Sequence, residues 1–179
     1  FLEAKNGRAL IADEMGLGKT LTAIAWLTLH PEKRPAIIVC PAHLKLHWER
    51  EIRQASPHAV NTQILFGTNT NVPLTGDVII VNYDILFNHY EDVPTTTGKV
   101  RKKEIPHTGW VDFLIALQPQ VLVIDEAHYC RSNKALRAKA TRKLAKKTPH
   151  VIALTGTPIV NRPIEGFNII RLIDPSIFP

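Results

Sequence analysis

Sulfur is scarce in this chain of 179 residues, which has two cysteines, Cys40 and Cys130, and a single methionine. Two thiols cannot build the disulfide framework of a small secreted domain, and they fit a reducing, intracellular compartment. Long apolar runs are missing too. None approaches the roughly 20 residues that cross a bilayer, so no membrane partner is expected. Asp13 and Glu14 interrupt the first apolar stretch, which argues against a signal peptide. There is no internal repeat and no low-complexity tract. Acidic residues are absent from Arg131 to Lys147, where Arg131, Lys134, Arg137, Lys139, Arg142, Lys143, Lys146 and Lys147 follow one another. A second basic cluster, Lys99, Arg101, Lys102 and Lys103, lies in a polar loop, and the formal net charge is +6. Excess positive charge favours polyanionic partners without identifying one.

What the chain does contain is a strand–helix rhythm. Ala9–Ala12, Ala36–Val39, Val78–Val81, Val121–Ile124 and Val151–Leu154 are short apolar runs without polar alternation, the pattern of strands buried on both faces. Gln63–Phe66 is a further candidate. Helical patterns at Leu21–Leu29, Leu44–Gln54 and Asn133–Ala145 separate most of these runs, with prolines at the junctions. The expected fold class is α/β, a mostly parallel sheet with helices on both faces. Asn88–Gly109 lacks a periodic pattern and is expected to form a surface loop or small hairpin, inserted before a helix over Trp110–Leu117. Residues 1–179 are read as one domain whose two ends look like cuts through a longer protein. Trp26, Trp48 and Trp110 are assigned to the core or to helix packing rather than to base stacking.

Each chemically suggestive segment directly follows one of the apolar runs, so all converge on the carboxyl rim of the sheet, where ligands of open parallel sheets bind. After the first run comes Asp13-Glu14-Met15-Gly16-Leu17-Gly18-Lys19-Thr20. The strict G-x-x-x-x-G-K-T pattern fails at its first position, where Asp13 stands, but Gly16-Leu17-Gly18-Lys19-Thr20 remains between a strand and a helix. Such a loop wraps phosphates in backbone N–H groups, with Lys19 reaching the outer phosphates and Thr20 binding Mg²⁺. After the fourth run comes Asp125-Glu126-Ala127-His128. Two adjacent carboxylates at a buried strand end are costly without cations. Asp125 would complete the magnesium shell and Glu126 would position and deprotonate a water. His43 and His47 have the spacing of a zinc pair, but Leu44 stands where a metalloprotease has glutamate and no third ligand is apparent.

The order DEMGLGKT, then Val39-Cys40-Pro41-Ala42-His43-Leu44 with Trp48 and Glu49, then Asn82-Tyr83, DEAH and LTGTP resembles the first motor lobe of the Swi/Snf-like ATPases. These are double-stranded-DNA translocases of helicase superfamily two, with a RecA-like P-loop fold. Asn161-Arg162-Pro163-Ile164-Glu165 and the stretch after it look most like the annealing-helicase branch. The resemblance implies an ATP- and Mg²⁺-dependent enzyme. Glu14, Met15, Gly16, Leu17, Gly18, Lys19 and Thr20 would bind nucleotide, Thr20 and Asp125 the metal, and Lys19, Asp125 and Glu126 would serve catalysis. His128, Thr155, Gly156 and Thr157 would couple the nucleotide site to DNA. Pro41, His43, Lys45, Asn82 and Tyr83 would lie along double-stranded or branched DNA. It also implies that the LTGTP strand sits between the glycine-loop strand and the DEAH strand. Departures from the family pattern are Val160 for glutamine, Arg131-Ser132 for Lys-Asn, and Asn82 for a small hydroxyl residue.

An arginine-bearing second RecA-like lobe is the implied partner, so the isolated chain is expected to bind nucleotide weakly and hydrolyse it poorly. Three other readings compete. A GTPase switch needs Asn-Lys-x-Asp, and Asn133-Lys134-Ala135-Leu136 has leucine at the last position. An RNA or restriction-type helicase lobe shares the DEAH box. An inert interaction module conflicts with an intact set of Lys19, Thr20, Asp125 and Glu126. The expected location is intracellular: cytoplasm or nucleoid in a bacterium, nucleus in a eukaryote.

Overall fold

The computed structural model describes residues 2–56, 60–94, 100–157 and 163–174. The expectations that fall on residues 95–99, 158–162 and 175–179, among them Lys99, Pro158, Val160, Asn161 and Arg162, lie outside the described residues. Strand β1 (Arg8–Ile11) is followed by helix α1 (Lys19–Leu29), β2 (Ala36–Cys40) by α2 (Lys45–Ala55), and β3 (Thr62–Ile64) and β4 (Val78–Asn82) in succession by α3 (Tyr83–Leu86). A hairpin of β5 (Tyr90–Pro94) and β6 (Val100–Glu104) follows. Then come α4 (Val111–Ala116), β7 (Val121–Ile124), α5 (Leu136–Ala145), β8 (His150–Leu154) and α6 (Pro163–Ile173).

Six strands form one parallel sheet in the order β1-β8-β7-β2-β4-β3. The β8 strand lies between β1 and β7, as the resemblance implies; Ala153 pairs with Leu10 on one side and Ile124 on the other. The apolar runs alternate between the two sides of the sheet. Ile37, Val39, Ile79, Val81, Leu122 and Ile124 meet Leu86, Leu114, Leu144, Ile169 and Leu172 from α3, α4, α5 and α6. Ile38, Ile80, Val121 and Val123 meet Ile24 and Leu27 of α1 and Trp48 and Ile52 of α2. Burial of each such side chain contributes about 1.5–3 kcal/mol, so two cores hold one sheet. All three tryptophans are buried, as expected.

The segment before α4 is a hairpin, not a loop. Across its strands Lys102 faces Asp92 and Lys103 faces Glu91, so part of the basic cluster is offset by acids. Its base is tied down by Asn88, whose Nδ2 donates to Glu104 Oε1 at 2.6 Å and to Asp112 Oδ2 at 2.8 Å. Gly109 has no room for a side chain there: a Cβ would stand 2.2 Å from the Phe87 carbonyl oxygen. The α5 helix starts at Leu136, three residues later than expected, because Ala135 is extended (ψ 134°). Two of its basic residues are paired within the fold: Lys143 Nζ donates to Asp112 Oδ1 at 2.6 Å and Arg137 Nε to the Tyr129 carbonyl at 3.0 Å.

Candidate active site

The first wall of the site is the loop of residues 12–18, between the end of β1 and the start of α1 at Lys19. Gly16 (φ 83°) and Gly18 (φ 75°) are left-handed, a conformation that costs L-residues roughly 1–2 kcal/mol. A Cβ at either position would meet nothing within 4 Å, so conformation rather than crowding calls for glycine. Glu14, Met15 and Leu17 are exposed, and Met15 also lines the cleft. Lys19 Nζ donates to the carbonyls of Asp13 (2.8 Å) and Glu14 (2.7 Å), which closes the loop on itself. The N–H groups of the first turn of α1 point into the same space.

The second wall is the end of β7. Asp125 is buried, and its N–H donates to the Val39 carbonyl at 2.8 Å. Its Oδ1 accepts from the Glu126 N–H at 2.9 Å and its Oδ2 from the Trp48 indole N–H at 2.8 Å. The Tyr83 hydroxyl donates to the Asp125 carbonyl at 2.6 Å. Burial pushes the Asp125 carboxyl above its ordinary range, against the Trp48 hydrogen bond, which pulls it down. Glu126 is left-handed (φ 50°, ψ 52°), unusual for a non-glycine residue. Its Oε2 lies 3.1 Å from His128 Nδ1 but out of line for a hydrogen bond, and both atoms are buried without one.

These walls enclose one cleft of about 420 Å³. Gly16, Gly18, Lys19 and Thr20 line one side, and Asp125 and Glu126 the other. Leu44, just before α2, with His47 and Glu51 from α2, forms a third wall that the sequence does not announce. The donor set fits a phosphate chain with a hard cation: backbone N–H groups, an ammonium and a hydroxyl opposite two carboxylates. A larger cavity of about 590 Å³ between β1 and α1 is lined mainly by apolar groups such as Leu2, Ile11, Trp26 and Leu29, so the phosphate chemistry belongs to the smaller cleft.

Of the expected coupling residues, Thr155 is buried and its N–H donates to the Ile11 carbonyl at 3.1 Å. Gly156 packs on Met15 of the glycine loop, and the Thr157 N–H donates to Thr155 Oγ1 at 3.2 Å. His128 stands beside Glu126. Among the expected DNA-facing residues only His43 is exposed; Pro41, Lys45, Asn82 and Tyr83 are buried. Lys45 Nζ donates to Asn82 Oδ1 (3.0 Å) and to the Leu65 carbonyl (2.9 Å), beneath the ring of Phe66. Its side chain therefore braces β3 against β4.

Trp48 was assigned to packing alone, and its hydrogen bond to Asp125 went unread. A buried indole N–H needs an acceptor, and Trp48 follows the strand that neighbours the DEAH strand. Cys40 has no reactive role: burial, reinforced by the Asp125 charge, pushes its thiol up to about 12.

Comparison with known proteins agrees with this arrangement. The family model described as SNF2-related domain matches residues 2–179. The chain is 31% identical over 183 residues to the Xenopus tropicalis SWI/SNF-related matrix-associated actin-dependent regulator of chromatin subfamily A-like protein 1. It is 32% identical over 182 residues to the human DNA annealing helicase and endonuclease ZRANB3. These alignments cover 100% and 99% of the chain but only 17% and 15% of the relatives. The Sulfolobus solfataricus SWI2/SNF2 ATPase core in complex with dsDNA superposes with a TM-score of 0.75 and 25% identity, over 99% of this chain and 33% of that one. With the same fold and a family match across nearly its whole length, the chain belongs to the SNF2-related domain family.

Proposed function

We propose that this chain is the ATP-binding lobe of an ATP-driven motor acting on double-stranded or branched DNA, with ATP and Mg²⁺ as its ligands. The observation that carries the reading is the shared cleft: Lys19 and Thr20 on one wall, Asp125 and Glu126 on the other. Backbone N–H groups from Gly16 to Thr20 bind the phosphates at the positive end of α1. Lys19 exchanges the carbonyls of Asp13 and Glu14 for phosphate oxygens. Thr20 and Asp125 would hold the cation, which when bound would offset phosphate charge. Glu126 orients the attacking water and takes its proton. His128, Thr155, Gly156 and Thr157 link the cleft to the rim. There the exposed Ala42 and His43 meet DNA. The relatives' names, a regulator of chromatin and a DNA annealing helicase, and the duplex in the matching structure support this partner.

Full turnover requires a second RecA-like lobe to supply an arginine, typically worth about 10³–10⁵ in rate. No helix among the described residues is long and apolar enough to cross a membrane, and a DNA motor works in the compartment that holds DNA. Nucleotide titration and turnover assays test the reading. Lys19→Ala is expected to lose nucleotide binding. Glu126→Gln is expected to keep binding and lose about 10²–10⁴-fold in turnover. In the protein joined to its second lobe, duplex or fork DNA should stimulate hydrolysis more than RNA does, and ATP should outcompete GTP. Unchanged nucleotide binding by Lys19→Ala would overturn the assignment.

A further inference from the structure

The two segments that lead from β2 and β4 to the rim each reach Asp125 through one hydrogen bond. From the second, the Tyr83 hydroxyl holds the Asp125 backbone carbonyl. From the first, Trp48 holds the carboxylate itself, by an indole N–H 2.8 Å from Oδ2. We propose that Trp48 is a positioning residue for the cation site, its indole N–H fixing the plane of the Asp125 carboxylate. The proposal rests on the reading of the cleft as a Mg–nucleotide site.

Three observations carry it. First, Trp48 is fully buried and Asp125 nearly so, which shields this hydrogen bond from competing water. Second, the other carboxylate oxygen, Oδ1, is taken by the Glu126 N–H at 2.9 Å. With one donor on each oxygen the group cannot rotate, while an ionised carboxylate retains lone pairs for a cation or its waters. Third, no ion pair to Asp125 is found among the described residues, so the donor that orients it carries no charge. An arginine or lysine at position 48 would bind the carboxylate as well but would cancel the charge that attracts Mg²⁺. An indole orients without neutralising. Nor is every buried indole donor aimed at the cleft: Trp110 Nε1 donates to the Gly67 carbonyl at 2.7 Å.

Ligand-orienting partners of this kind typically change metal affinity about 10- to 100-fold. The test titrates N-methylanthraniloyl-ADP with and without Mg²⁺ and reads the ratio of the two dissociation constants. Trp48→Phe removes the donor but leaves a smaller ring. Benzothienylalanine at position 48 keeps the shape of tryptophan, with sulfur replacing the N–H. Trp110→Phe removes an equally buried indole donor away from the cleft. We expect both changes at position 48 to reduce the Mg²⁺-dependent tightening by about 10-fold or more, with Mg²⁺-free affinity unchanged and Trp110→Phe retaining the full tightening. Full tightening with benzothienylalanine would overturn the proposal, since shape alone would then suffice. An unaltered protein that binds the nucleotide with no response to Mg²⁺ would overturn the underlying site reading and this inference with it.

Discussion

Glu126 sits in a conformation its residue type disfavours, and replacing it should stabilise the fold while abolishing turnover. At φ 50° and ψ 52° its backbone is left-handed, which costs roughly 1–2 kcal/mol for a residue with a Cβ. Its Oε2 is also buried without a hydrogen bond, and an unsatisfied polar atom costs roughly 1–3 kcal/mol. The side chain as a whole is 27% exposed, so the lower end of that range applies. Glu126→Gly removes both penalties and adds back about 0.5–1 kcal/mol of chain entropy. The expected net gain is about 1–2 kcal/mol. At about 2–4 °C per kcal/mol for a chain of this size, Tm should rise by roughly 2–8 °C. Glu126→Ala separates the two contributions, because it removes the carboxylate and keeps the backbone penalty; its gain should be smaller by about 1 kcal/mol. Thermal and urea unfolding of the three proteins, beside a turnover assay, make the comparison. An unchanged or lower Tm for Glu126→Gly would refute the claim that this position stores strain.

The remaining predictions concern the hairpin base and the rim. Gly109→Ala should lower the urea midpoint by the equivalent of about 1–3 kcal/mol, because its Cβ would meet the Phe87 carbonyl, a backbone group that cannot swing aside. Lys143→Met should cost about 0.5–1 kcal/mol at pH 7, given that Lys143 is half exposed. Burial pushes Asp112 up, but the hydrogen bonds from Lys143 and Asn88 together hold it below its ordinary range. Lys143 is raised, chiefly by its hydrogen bond to Asp112. The Asp112 contribution is therefore present above the usual aspartate range and lost as pH falls through the lowered value. The Lys143 contribution is present below the usual lysine range and lost as pH rises through the raised value. Unfolding curves of Lys143→Met and the unaltered protein should converge at both extremes. Lys45→Met should cost about 1–3 kcal/mol by leaving Asn82 Oδ1 and the Leu65 carbonyl unpaired. It should leave the salt dependence of DNA binding unchanged, whereas loss of a phosphate contact would reduce the slope by about 0.9.

Much of the fold was legible because the apolar runs are short, unbroken and rich in β-branched residues, which only strands covered on both faces tolerate. The central four, Ala36–Cys40, Val78–Asn82, Val121–Ile124 and His150–Leu154, appear within a residue or two of expectation. The order of the strands was not legible from pattern, since nothing in Val151–Leu154 says which neighbours it pairs with; the resemblance to a known lobe supplied that. Proximity of Lys19 to Asp125 and Glu126 followed from one rule, that loops at the carboxyl ends of parallel strands share a rim. The burial of Lys45, Asn82 and Tyr83 is not legible because polar residues next to a strand end read as surface, and their hydrogen bonds, Lys45 to Asn82 and Tyr83 to the Asp125 carbonyl, span tens of residues. Trp48 escaped for the opposite reason: its ring satisfied the core, so its one polar atom went unexamined.

The placement of β8 limits how such a lobe can move. Because that strand shares ladders with both β1 and β7, and side chains close-pack against both surfaces of the sheet, the interior offers no slack in which a displacement could dissipate. The compliant parts are the short connections at one end: residues 12–18, the turn after Ile124 and residues 155–157. A force applied at any of them would pass through the lobe as through a stiff lever and turn the sheet as one body.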